Sequence, residues 1–148
     1  MTTNTMKLNP TTIDFMPKMY AVAEGINELS TICHAIASEA GWWNDVETGE
    51  PLDRNKGELM MLMVSEIAEA MEGARKNLDD DHLPQFKMEP VELADALIRI
   101  FDYCGKYWPE VIGEAFITKL EYNMNRADHK PENRVKENGK KFNPLIQT

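Results

Sequence analysis

The sequence predicts an all-α bundle, on three observations. Apolar residues return at spacings of three and four in one segment after another, and no segment alternates as a half-buried strand would. Ten methionines against only eight glycines also lean the composition towards helix.

Taken in order, residues 1–16 read as an irregular lead-in. The first helix is expected from about Lys18 to Ala40, with Pro17 near its start and Gly41 ending it. Ala23, Ile26, Leu29, Cys33, Ile36 and Ala40 mark its apolar face. GWWNDVETGEPLDRNKG is a loop punctuated by Gly49, Pro51 and Gly57, and it leads into a second helix from about Glu58 to Asn77. LDDDHLPQFKM, acidic and interrupted by Pro84, is the next loop. Pro90, a favoured first-turn residue, opens a third helix that runs to Tyr107. Trp108-Pro109 breaks the pattern before a fourth helix, roughly Glu110 to Ala127. The tail 129–148 is polar and aperiodic, which places the helical domain at 17–128. Four successive helices make a bundle of four to five the natural architecture.

A chain of 148 residues suits one domain with one core. At 43% hydrophobic and 28% charged it has the composition of a soluble globular protein. Its formal charge of −9 argues against nonspecific binding to nucleic acid or to an anionic membrane, both of which would repel it. No apolar run approaches the ~20 residues that span a bilayer. MTTNTMKLNPTT lacks the charged start and apolar stretch of a signal peptide. Cys33 and Cys104 are far apart, outside any CxxC, and are expected to be reduced, inert thiols in a cytoplasmic protein.

One feature of the second helix breaks the patterning. In ELMMLMVSEIAEAM, Leu59, Leu62, Met63 and Ala70 project within about 60° of Glu66. Glu66 therefore sits in the middle of an apolar sector, with Glu69 on its flank. VELADALIRIFDYCGKY repeats the anomaly. Leu93, Leu97, Ile100, Phe101 and Cys104 make a broad apolar face, and Glu92, Asp95, Arg99 and Asp102 form a narrow polar stripe. A solvated edge, with Arg99 pairing locally, is one reading of that stripe. The other sets Glu66 and Glu69 opposite Glu92 and Asp95. Four carboxylates raise one another's pKa in low dielectric, and a hard divalent cation resolves the repulsion. All-oxygen ligation suits magnesium, with manganese as a substitute. A redox di-metal bundle would use Glu-x-x-His, and none of His34, His82 and His129 follows a glutamate at that spacing.

The combination SEIAE, a variable loop and ELAD resembles the all-α nucleoside triphosphate pyrophosphohydrolases, specifically MazG-like proteins, whose signature is E-E-x-x-E followed by E-x-x-D. KLEYNMNRADHKPENRVKENGKKF is similar to their K-x-x-x-N-x-x-R ending with a Gly-Lys-Lys stretch, so the likeness runs from about Ala21 to Phe142. The chain departs at Ser65, where the first acid of the pair would stand. The resemblance implies magnesium-dependent hydrolysis of a nucleoside triphosphate to the monophosphate and pyrophosphate. It makes Glu66, Glu69, Glu92 and Asp95 the metal ligands, with Glu66 or Glu69 as general base. It also implies that Lys119, Asn123 and Arg126 hold phosphate, sugar or base, and that Lys140 and Lys141 close over the phosphates. Asp102 is a candidate to orient a ligand or water, and Trp42 to stack on a base. His34 reads as a structural histidine. Proteins of this kind form homodimers or homotetramers that complete the bundle between chains. The competing reading is a non-catalytic nucleotide-binding helical regulator.

Overall fold

The computed structural model describes residues 10–139, with side chains from residue 18; Lys140 and Lys141 lie outside them. Helix α1 spans Pro10–Glu39, α2 Lys56–Lys76, α3 Met88–Tyr107 and α4 Ile112–Asn125. A 3-10 turn at Ala127–His129 and the one-turn α5 at Pro131–Arg134 follow. The described residues contain no strand, only isolated bridges Asn44–Pro51 and Asp79–Lys87 that pin two loops. The protein is all-α, and no described helix is long and apolar enough to cross a membrane.

Several expectations need correcting. The lead-in is not irregular throughout, because α1 already begins at Pro10 and Pro17 lies inside it. Proline at the first helical position wastes no N–H, which suits Pro10 to that end. The tail begins with two short helical turns. The chain divides into two compact units. One is Glu24–Ile112; the other gathers the described parts of Met1–Ala23 and Gly113–Thr148.

Local chemistry sets the helix ends in the larger unit. Gly41 adopts φ +82°, and Gly41 and Trp42 donate back to Ser38 and Ala37, closing α1 with a left-handed cap. The Asn55 side chain accepts from the backbone N–H groups of Gly57 and Glu58 and starts α2. Asn77, at φ 53°, ends it in the same left-handed way. Asp80, itself only 6% exposed, accepts from the N–H groups of His82 and Leu83 and folds the following loop back on itself.

Helices α2 and α3 pack as an antiparallel hairpin: Gly73 near the end of α2 meets Met88 at the start of α3, and Lys56 at the start of α2 reaches Tyr107 at the end of α3. A Cβ at Gly73 would lie 2.9 Å from that of Met88, so the absence of a side chain permits the approach. Gly105 does the same against α1, where a Cβ would come within 2.4 Å of the Ser30 carbonyl.

The sector that periodicity marked around Glu66 is the one α2 turns inward, whereas the faces it marked on α1 and α3 are only partly buried. On α2 the buried residues are Glu66, Ala70 and Gly73, and on α3 they are Glu92, Ala96, Tyr103 and Cys104. Leu93 and Leu97 stay about half exposed, as do Leu29 and Ile36 of α1, while Ser30 is buried. On the far side of α2 the side chains Met60, Val64, Ile67 and Met71 form an exposed apolar stripe. These helices are apolar on two sides, and within this unit the acid-bearing side turns inward.

Candidate metal centre

Facing α2 and α3 across the hairpin brings Glu66, Glu69 and Glu92 together. One carboxylate oxygen from each lies within 4.8 Å of the others. Glu66 and Glu92 are 7% and 9% exposed, whereas Glu69 opens to solvent. The trio therefore forms a half-buried cup with one accessible side. Burial, followed by the charges of Glu69, Glu66, Asp95 and Asp80, pushes the Glu92 carboxyl above the usual glutamate range. Asp95 acts on Glu92 through its charge, but the converging trio does not include it.

Arg99 is the counter-charge. Its Nε donates to Oε1 of Glu66 at 2.6 Å, so the polar stripe of α3 pairs across to α2 and not locally. The Ser65 hydroxyl donates to the Leu62 carbonyl of its own helix at 2.8 Å. The donor set fits a hard divalent cation: carboxylate oxygens converge, burial and then neighbouring charge raise the pKa of Glu92, and a single guanidinium offsets only part of the negative charge.

Asp102 is occupied by the fold. Its Oδ1 accepts from Trp43 Nε1 at 2.7 Å and is bonded to His34 Nδ1 at 2.8 Å. Trp43 is 2% exposed and packs edge-on against His34 and Tyr107, with centroids at 5.2 and 5.8 Å. Trp42 is exposed, and its carbonyl accepts from Arg54 Nη1. Both thiols are free; burial raises the pKa of each, with Asp102 adding to the effect on Cys33.

Lys119, Asn123 and Arg126 belong to the other unit. Lys119 and Arg126 lie over the ring of Tyr122, at 4.7 and 5.7 Å from its centroid. Arg126 also grips Asp128 with two hydrogen bonds, which holds its guanidinium charged. Asn123 Oδ1 is buried with no hydrogen-bond partner among the described residues. The sequence reading missed Asp80 and the sharing of Asp102 between Trp43 and His34. The one signal available for Asp80 was an acid two residues ahead of His82 in a turn-rich loop.

No protein-family model, curated protein or solved structure matches this chain.

Proposed function

We propose that the chain is a divalent-cation-dependent nucleoside triphosphate pyrophosphohydrolase of the MazG-like kind. One observation carries this reading: the E-x-x-E of α2 and the first acid of E-x-x-D on α3 converge on one point. Magnesium or manganese held by Glu66, Glu69 and Glu92, with Asp95 beside them, would neutralise triphosphate charge and acidify water.

The chain's own residues divide the remaining work. Arg99 occupies one oxygen of Glu66 and fixes its carboxylate, so Glu66 is the rigid wall of the cup. Glu69 is solvent-facing and has no hydrogen-bond partner among the described residues, which supports it over Glu66 as the general base. It takes a proton from water as the water oxygen bonds to the α-phosphorus. The bond from that phosphorus to its bridging oxygen breaks, and pyrophosphate leaves with the electron pair. Lys119, Asn123 and Arg126 are assigned to phosphate, sugar and base, Trp42 to stacking on the base, and Lys140 and Lys141 to the phosphates. The exposed apolar stripes of α1, α2 and α3 are assigned to a homodimer or homotetramer.

With magnesium and a panel of nucleoside triphosphates, the purified protein should release pyrophosphate and not single phosphate. Glu69→Gln should abolish turnover while the far-ultraviolet helical signal stays near its original value. No pyrophosphate from any base, sugar or divalent ion would sink the reading. The outcome would then favour the non-catalytic regulator, which Ser65 supports.

A further inference from the structure

A second charged feature of the larger unit has no part in that chemistry. Arg54, Lys56 and Lys106 come from a loop, the start of α2 and the end of α3, and all reach one pair of rings. Lys56 Nζ lies 4.1 Å from the Tyr107 centroid, Lys106 Nζ 5.4 Å from that of Trp43, and Arg54 Cζ 5.9 Å from the same ring. Those rings meet edge-on with centroids 5.8 Å apart.

Elsewhere in this unit of a chain with net charge −9, cations find acids: Arg75 and Lys76 pair with Glu72, Lys87 with Asp79 and Arg99 with Glu66. Arg54, Lys56 and Lys106 have no such carboxylate among the described residues, although Asp53 and Glu58 are close in sequence. Their ring contacts are weak, since a cation–π contact at an exposed site contributes about 0.5–1 kcal/mol. Lys56 also stands at the first position of α2, the helix end where the backbone dipole favours an anion and disfavours an ammonium. The Asn55 side chain caps Gly57 and Glu58 there and supplies no charge. A positive charge kept at the wrong end of a helix, beside two others without acids, is a local rule broken in favour of a ligand.

We propose that Arg54, Lys56 and Lys106 form a binding site for a small phosphate-bearing anion, separate from the carboxylate cup. The three cations are the charge-assisted donors that phosphate groups take. The rise along α2 from Lys56 to Glu66 is about 15 Å, so one phosphate cannot touch both sites.

The test uses the full chain, metal-free in EDTA at physiological ionic strength, titrated calorimetrically with inorganic pyrophosphate. EDTA prevents the carboxylate cup from recruiting phosphate through a cation. Saturable binding is expected, weakened at least about tenfold in the double variant Lys56→Gln, Lys106→Gln and in Arg54→Gln. Glu69→Gln should bind as the parent does. All three positions are exposed or half-exposed, and circular dichroism checks that each variant keeps its helices. No saturable binding, or equal affinity in parent and double variant, overturns the inference. Binding without EDTA-resistant turnover leaves it intact, so its fate is distinguishable from that of the hydrolase reading.

Discussion

Arg99 of α3 holds Glu66 of α2 through a 2.6 Å bond from Nε to Oε1, in the cup where Glu69 and Glu92 converge. The guanidinium thus does in the metal-free chain part of what a cation would do. Arg99→Gln should lower metal-free stability by about 1–3 kcal/mol, since it leaves a 7%-exposed carboxylate without its charge-assisted partner. The half-exposure of Arg99 places the loss at the lower end of that range. The same variant should bind divalent cation more tightly, because Oε1 is released. Urea unfolding in EDTA and a manganese titration check both halves. Weaker cation binding would show that Arg99 builds the site and does not compete for it.

The Glu92 carboxyl gives stability a pH dependence. Its pKa in the folded chain is raised, by burial first and by neighbouring carboxylates second. At pH below the ordinary glutamate value both folded and unfolded chains are protonated and the group contributes nothing. As pH rises through the window just above that value, the unfolded chain releases a proton that the folded chain retains. Metal-free stability therefore falls across the window. Thermal melts in EDTA should show the decline, Glu92→Gln should flatten it, and magnesium should reverse it. A slope unchanged in Glu92→Gln would assign the effect to another group.

Trp43 depends on Asp102 for its only indole hydrogen bond. Asp102→Ala should cost about 1–3 kcal/mol, since the N–H of a 2%-exposed tryptophan loses its acceptor. Asp102→Asn keeps a carbonyl oxygen and should cost less. Chemical denaturation followed by tryptophan emission measures the difference. Equal losses in the two variants would mean that charge, not hydrogen bonding, matters at this position.

The outer stripe of α2 tests self-association. Val64, on the side of α2 opposite Glu66, and Ile67, on its flank, are half exposed. Val64→Glu and Ile67→Glu should move the parent's dimer or tetramer towards monomer in equilibrium sedimentation, with helicity retained. A parent that sediments as a monomer at micromolar concentration would remove the assembly proposal altogether.

Much of this molecule was legible in the chain. Periodicity gave four helices, and Asn55, Gly41 and Asn77 end or begin them by local backbone chemistry that sequence carries directly. The placement of Glu66 in an apolar sector marked the carboxylate cup, because residue spacing along a helix fixes which side chains share a face. The burial of those faces was a different matter. Helices α2 and α3 are apolar on two sides, and periodicity does not say which side meets a neighbour. Gly73 and Gly105 decided it by allowing close approach, and that turned Glu66 and Glu92 inward while leaving Leu93, Leu97 and Val64 outside. Partner choice was likewise a matter of tertiary geometry. Trp43, far away in sequence, reaches an oxygen of Asp102, and Arg99 crosses between helices to Glu66. The chain alone thus determined which residues line each helix face; only packing decided which faces and which charges meet.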